Sequence, residues 1–329
     1  MNTGILLSRV ADSIYWMSRY MERVENTVRL MEVNWNLMLD MPQVQTNEWE
    51  SLLHVSGDYD LFKSAYEDVN AENVMRFMTF DLLNPNSMYA CLTAARENSR
   101  AVRDVITPDM WELINSMYLM VKSYDSNARG FYTNPFDFYR EIQENVLHFY
   151  GVEHASTFRG QAWNFNQLGR MLERADKTTR ILDVRYFLLL PSLREVGTAL
   201  EDLQWSAMLR SVSSLEPFVK KYGPVSARGI IEYLLLDPQN PRSLRYCLQH
   251  ADQSLRNING TAYGTYSNDA ERRLGQLCAD LNYLTVDEII RIGLHECLDD
   301  LQIRMNRVHT AISETYFNPD VQLQSQGGA

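Results

Sequence analysis

The chain is poor in the residue patterns that usually announce chemistry. Among 329 residues there are four cysteines, Cys91, Cys247, Cys278 and Cys297. No two form a CxxC pair, which excludes the common structural-zinc and dithiol redox motifs. Six histidines are present, but neither His-Glu-x-x-His nor Glu-x-x-His occurs. The zinc-peptidase and di-iron bundle signatures are therefore missing, and no metal site is expected. No GxxxxGK[ST] and no GxGxxG after a strand occur, so no nucleotide cofactor is expected. The GxSxG nucleophile turn is absent too. No apolar run approaches the length of a membrane span, and no basic segment followed by an apolar stretch opens the chain as a signal peptide would. Together with the sparse cysteines, this leads to the expectation of a reducing cytoplasm. Basic residues are the minority, 31 against 42 acidic, for a net charge of −11. That balance argues against a general nucleic-acid binder or a basic membrane-surface protein. Strand-like alternation is absent as well, which leaves helices to build the fold.

What is present is organised around residues 10–38. Val10, Ile14, Met17, Met21, Val24, Val28, Met31, Trp35 and Met38 recur at alternating spacings of 4 and 3, the stripe of one continuous helix. Trp16, Leu30 and Leu37 lie on the other side, near Arg19 and Arg23, so the helix is expected to be covered on both faces. Its charges, Arg19, Glu22, Arg23 and Arg29, then need partners.

The stretch occurs twice. Arg19-Tyr20-Met21-Glu22-Arg23 is matched by Arg170-Met171-Leu172-Glu173-Arg174, 151 positions later, and Arg29 by Arg180. A second segment, Trp49 to Arg100, aligns without a gap on Trp205 to Arg256 at an offset of 156, with 14 of 52 positions identical. Average residue usage gives roughly three by chance, so the match reads as an internal duplication. The change of offset places about five extra residues near Pro191.

The expected organisation is all-α: two pseudo-symmetric multi-helix repeats, each led by a long helix. Repeat 1 spans 1–151 and repeat 2 spans 152–317, fused into one domain because each long helix carries more apolar surface than one repeat covers. Residues 318–329 read as a flexible tail. Between the long helices, 43–48 read as a linker and helices are expected from Trp49 to Ser56 and from Ala71, capped by Asn70, to about Leu83. Asn84-Pro85 is expected to open the next helix with Asn at its cap. Another should start at Thr107-Pro108, a loop should run from Asp125 to Pro135, and a helix should end at Gly151. Residues 269–283 read as a helix and 286–316 as one long helix or two.

The segment Leu7-Ser8-Arg9-Val10-Ala11-Asp12-Ser13-Ile14-Tyr15-Trp16-Met17-Ser18-Arg19-Tyr20-Met21-Glu22-Arg23-Val24-Glu25-Asn26-Thr27 resembles the opening of the bacterial alpha-E domain family, an uncharacterised all-helical group named for a Glu-Arg motif. Gly169-Arg170-Met171-Leu172-Glu173-Arg174-Ala175-Asp176 resembles the family's second copy of that motif. Ser18 departs from the pattern, standing where Gly169 stands in the second copy. The resemblance covers nearly the whole chain and places the motif on Glu22, Arg23, Glu173 and Arg174. It implies a protein partner: an ATP-grasp-type amide ligase, a transglutaminase-like protein or a proteasome-like peptidase. It carries no established catalytic role.

The residues leave two readings of the motif open. Glu22 and Arg23 point about 100° apart on a helix, so each must find a partner elsewhere. In the first reading Glu22 meets Arg170 or Arg174 and Glu173 meets Arg19 or Arg23, a buried ion network between the repeats. In the second the guanidiniums of Arg19, Arg23, Arg29, Arg170, Arg174 and Arg180 hold an anion, a peptide carboxyl or a partner, with Glu22 and Glu173 as acid and base. No catalytic residue and no cofactor is assigned. The protein is expected to be a non-catalytic accessory or scaffold subunit, with a Glu-Arg binding protein or enzyme as the alternative and a homo-oligomer possible. The Asn-Pro-x-Ser turns, Asn84 to Ser87 and Asn240 to Ser243, are explained by helix capping alone. The aromatics Phe131, Tyr132, Phe136, Phe138 and Tyr139 are expected to close the core, with a docking patch as the other reading.

Overall fold

The computed structural model describes residues 6–40, 45–125, 131–132, 134–189 and 199–318. Among these the structure is helical, with no strand. Helix α1 (Ser8–Asp40) is followed by α2 (Gln45–Ser56), α3 (Tyr59–Ala65), α4 (Ala71–Thr79), α5 (Met88–Ala101), α6 (Pro108–Asp125) and α7 (Pro135–Ser156). The second long helix is α8 (Gln161–Leu189), and α9 (Ala199–Ser211), α10 (Leu215–Tyr222) and α11 (Ala227–Ile231) follow it. Then come a π turn (Glu232–Leu236), α12 (Leu244–Asn259), α13 (Asp269–Tyr283), α14 (Val286–Ile292) and α15 (Leu294–Ile312), which ends in a π turn (Ser313–Phe317).

The two long helices form the centre. Helix α1 packs against α8, α5 and α7, and α8 packs against α1, α12 and α2. The stripe residues Ile14, Met17, Met21, Val24, Val28, Met31 and Met38 are buried and Val10 and Trp35 half-buried; on the other side Leu30 and Leu37 are buried, as is Tyr15, while Trp16 is half-buried. Helix α1 is thus enclosed on both faces, at 33 residues a rod of about 50 Å. The helices meet most closely where the sequence has its smallest residues. A Cβ on Gly169 would run into the backbone carbonyl oxygen of Tyr15. At Ser18 the hydroxyl is buried and donates to the Asn166 carbonyl at 2.6 Å. The serine therefore fits the crossing by making a hydrogen bond of its own.

Several boundaries differ from the sequence expectation. Helix α2 begins at Gln45, inside the supposed linker. Helix α4 stops at Thr79, because the Phe80 and Asp81 amides both turn back to the Arg76 carbonyl. Asn84 is not a helix cap. Its side chain accepts from the Asn86 amide at 2.9 Å in a tight turn holding Pro85, and the N-cap is Ser87, which accepts from the Ala90 amide. Ser243 does the same for α12. Helix α7 runs through Gly151 to Ser156. One internal glycine costs only about 1 kcal/mol, and buried Val146, Phe149 and Glu153 anchor the helix on both sides. Residues 286–316 form two helices, split at Gly293 by its φ of +106°, a conformation that favours glycine. Phe131, Phe138 and Tyr139 are fully buried and pack edge-to-face on one another, so they line the core. The expected insertion near Pro191 and residues 319–329 of the expected tail lie outside the described residues.

Candidate functional site

The Glu-Arg residues converge where α1 crosses α8. Glu173 has no solvent exposure. It accepts from Arg19 Nε at 2.8 Å and from Arg23 Nε and Nη2 at 2.7 and 3.1 Å. Glu22, equally buried, accepts from Arg174 Nε and Nη2 at 2.7 and 2.8 Å, a bidentate pair. It also accepts from Arg242 Nη1 at 3.1 Å and from the Tyr150 hydroxyl at 2.8 Å. Glu22 and Glu173 are therefore each held by arginine from the opposite long helix.

The remaining motif residues divide. Arg170 does not reach Glu22. It binds Glu153 on α7 at 2.8 Å, beside Gln167, which also donates to that carboxylate. Arg29 pairs with Glu25 one turn back, and Arg180 pairs with Asp176 at 2.9 Å near the surface.

Several participants were not marked by the motif. Arg242 bridges two carboxylates of α1, holding Glu25 at 2.6 and 3.0 Å as well as Glu22. It occupies the x position of the second Asn-Pro-x-Ser turn. The x position of the first is Asn86, which accepts from Arg23 Nη1 at 2.7 Å and donates to Asp58 at 2.8 Å. The turns thus do more than cap helices, because each delivers one side chain into the ion cluster. The signal was in the sequence: both x residues are polar and flanked by matched Asn-Pro and Ser. Lys177 was also missed. It is 7% exposed and makes no hydrogen bond among the described residues. It lines a cavity of about 10 Å³ with Arg23, Asn26, Thr27 and Asn86, roughly the room one water needs. On the far side, Arg19 donates to the Tyr15 hydroxyl at 3.2 Å, and Tyr15 lies 3.0 Å from His309 Nδ1 on α15.

The electrostatics follow from burial and pairing. Burial alone raises a carboxylate's pKa, but Arg23 and Arg19 overcome it and hold Glu173 well below the usual range. Arg174 and Arg242 do the same for Glu22, and Arg242 and Arg29 bring Glu25 down to about 2. Glu153, with one arginine in direct contact, is pushed up by burial. Tyr150 is raised well above its ordinary value by burial and by Glu22. Burial lowers Lys177 despite the attraction of Glu173, and burial with nearby Arg19 brings His309 down to about 4. The thiols are driven toward the protonated form, Cys91 to about 11 and Cys247 to about 12, chiefly by burial. Glu22 and Glu173 are thus ionised and enclosed, whereas an acid–base pair needs a proton near neutrality and contact with substrate. Among the described residues no group of three or more His, Cys, Asp or Glu is placed to hold a metal ion. No helix among them is long and apolar enough to cross a membrane.

An all-helical protein whose two longest helices cross through reciprocal, buried Glu-Arg contacts is the class that fold and site define. The chain belongs to the Alpha-E family, described as a predicted alpha-helical domain with a conserved ER motif, whose model matches residues 6–317. An uncharacterised protein of Mycobacterium bovis is 23% identical over 324 residues, 93% of this chain and 36% of the relative. An uncharacterised protein of Mycobacterium tuberculosis is 22% identical over the same shares. The chain therefore spans about a third of the length of the curated relatives it matches. No solved structure matches it.

Proposed function

We propose that this protein is a non-catalytic helical accessory or scaffold subunit, working in the cytoplasm beside an ATP-grasp-type amide ligase in peptide or amide-bond synthesis, tagging or processing. The observation that carries the non-catalytic half is the saturation of the Glu-Arg cluster. Glu22, Glu25 and Glu173 are fully buried and already bound by the chain's own arginines. A site built that way holds helices together and leaves no guanidinium pair open to an outside anion, which weakens the alternative of a Glu-Arg binding site. The internal duplication belongs to the same reading: two repeats fused into one domain, with the reciprocal contacts at their pseudo-two-fold axis. The partner half rests on the family resemblance. It gains support from the relatives, in which the matching segment is 36% of a longer protein and so sits beside further sequence.

The test is to purify the full chain, assay it alone for ATP hydrolysis and amide formation, and recover co-eluting proteins from the native cytoplasm with a tagged copy. The expected result is no turnover alone and co-elution of an ATP-grasp ligase. Turnover by the isolated chain overturns the non-catalytic reading. Recovery of folded protein with no ligase, transglutaminase-like protein or peptidase overturns the partner reading.

A further inference from the structure

Helices α12 and α13 and the loop 260–268 line a cavity of about 350 Å³, within the size range of small-molecule sites. Asp252, Arg256, Tyr263, Tyr266, Gly275 and Cys278 are among its lining. At its floor lies an incompletely satisfied ion pair. Asp252 is 2% exposed. Its Oδ2 accepts from Arg256 Nε at 2.7 Å, while its buried Oδ1 has no hydrogen-bond partner among the described residues. Arg256 spends Nη1 on the carbonyls of Ala262 and Thr265, at 2.9 and 2.8 Å, which fixes the loop over the cavity. Its Nη2 makes no hydrogen bond among the described residues.

These two idle atoms face one gap. The point where a Cβ of Gly275 would stand is 3.3 Å from Arg256 Nη2 and 4.0 Å from Asp252 Oδ1, with no other side chain within 4 Å. The glycine therefore leaves the Arg256 donor and the buried Asp252 acceptor beside each other with no side chain of its own over them. At the rim Tyr263 and Tyr266 are 71% and 63% exposed, and the Arg256 guanidinium lies 5.0 Å from the Tyr263 ring centroid.

The charge of the pair selects the ligand. Asp252 and Arg256 neutralise each other, so an incoming cation meets Arg256 and an incoming anion meets Asp252. A neutral group with a donor beside an acceptor meets neither penalty and satisfies both atoms. We infer that this cavity binds a primary carboxamide, its NH2 donating to Asp252 Oδ1 and its carbonyl accepting from Arg256 Nη2, with the attached apolar portion against the tyrosines. This inference is independent of the accessory-subunit reading.

Three planar probes of one shape test it: benzamide, benzoate and benzamidinium, titrated against the full chain by ligand-observed NMR. Benzamide is expected to bind in the millimolar range of a small fragment, and at least fivefold more tightly than either charged isostere. Gly275→Ala places a methyl over both atoms. It is expected to weaken benzamide at least tenfold while the thermal midpoint holds or rises, since alanine is the better helix former. Tyr263→Ala, at a position 71% exposed, is expected to weaken benzamide severalfold while the thermal midpoint stays within about 2 °C of wild type. Equal or tighter binding of benzoate or benzamidinium overturns the proposal. So does benzamide binding that survives both substitutions, or no benzamide binding in the millimolar range.

Discussion

Glu173→Gln is the most informative single change, because it preserves shape and removes only charge. The native carboxylate accepts three hydrogen bonds, from Arg19 Nε, Arg23 Nε and Arg23 Nη2, at 2.7–3.1 Å and with no exposure. A carboxamide keeps one acceptor oxygen and turns an NH2 toward a guanidinium N–H, donor against donor. Two buried cations then lose their shared anion. Breaking a buried pair in this way costs about 3–5 kcal/mol, a large fraction of the roughly 5–15 kcal/mol that stabilises a typical domain. At about 2–4 °C per kcal/mol for a chain approaching this size, the melting midpoint should fall by about 6–20 °C. Arg180→Ala is the control. Its pair with Asp176 leaves the arginine side chain 30% exposed, and loss of such a contact should cost at most about 1 kcal/mol. Urea denaturation of the two variants and the wild type measures both. A Glu173→Gln protein within about 1 kcal/mol of wild type refutes the argument that these contacts hold the helices together. It would also reopen the binding-site reading.

Acid should destabilise the protein in two stages. His309 sits at about 4 against 6.5 when unperturbed, so the stability it contributes is present above 6.5 and lost between 6.5 and 4, and His309→Gln should flatten that limb of a stability–pH curve. Glu22, Glu25 and Glu173 have lowered folded values, so their contribution is present above their ordinary value of 4.5 and lost below it, down to about 2 for Glu25; Glu153, raised by burial, opposes this in part, and an acid limb of wild type no steeper than that of Glu173→Gln would contradict the assignment. Gly169→Ala should cost about 1–3 kcal/mol through overpacking against the Tyr15 backbone, although alanine is the better helix former, and a midpoint at or above wild type in calorimetry would show that the helices can separate freely. The four thiols are buried, so a thiol reagent should label the native protein slowly and the urea-unfolded protein at once; fast labelling of native Cys91 or Cys247 would contradict their burial.

The sequence made α1 legible because its stripe runs uninterrupted and its charges are too many to leave unpaired on an enclosed helix. It also pointed to arginine on one long helix facing glutamate on the other, since adjacent Glu and Arg cannot pair within a helix. Which arginine reaches which carboxylate was not legible. That depends on helix rotation and on α7, whose Glu153 captures Arg170 and whose Tyr150 donates to Glu22. Arg242 was hidden for another reason: it lies 220 residues from Glu22, in a turn whose neighbours are so well explained by capping that its own side chain drew no notice. Asn84 misled because Asn-Pro is a good helix start in isolation. Here Asp81 and Asn84 instead bond the amides of Leu83 and Asn86, and the helix waits for Ser87.

The cluster's two ends differ in a way that predicts opposite signs for two similar substitutions. Arg242 stands 156 positions after Asn86, and Lys177 stands 151 after Asn26. One end therefore carries its extra cation on the turn, the other on the long helix. The turn cation is fully engaged: Arg242 makes three contacts of 2.6–3.1 Å with Glu22 and Glu25. The helix cation is not. Glu173, one turn before Lys177, is already taken by Arg19 and Arg23, so Lys177 is left with only a small cavity, and burial lowers its pKa. A group whose charged form the fold disfavours gains nothing from that charge. Arg242→Met should therefore cost about 3–5 kcal/mol, because it removes the cation shared by two buried carboxylates and leaves Glu22 to Arg174 and Glu25 to Arg29 alone. Lys177→Met keeps the aliphatic stem, removes a buried charge, and should leave stability unchanged or raise it by about 1 kcal/mol. Urea denaturation near neutral pH compares them directly. A Lys177→Met protein destabilised by more than about 1 kcal/mol would mean that the ammonium neutralises Glu173 or Asp176 more strongly than burial opposes it, and the division between an engaged and an idle cation would have to be abandoned.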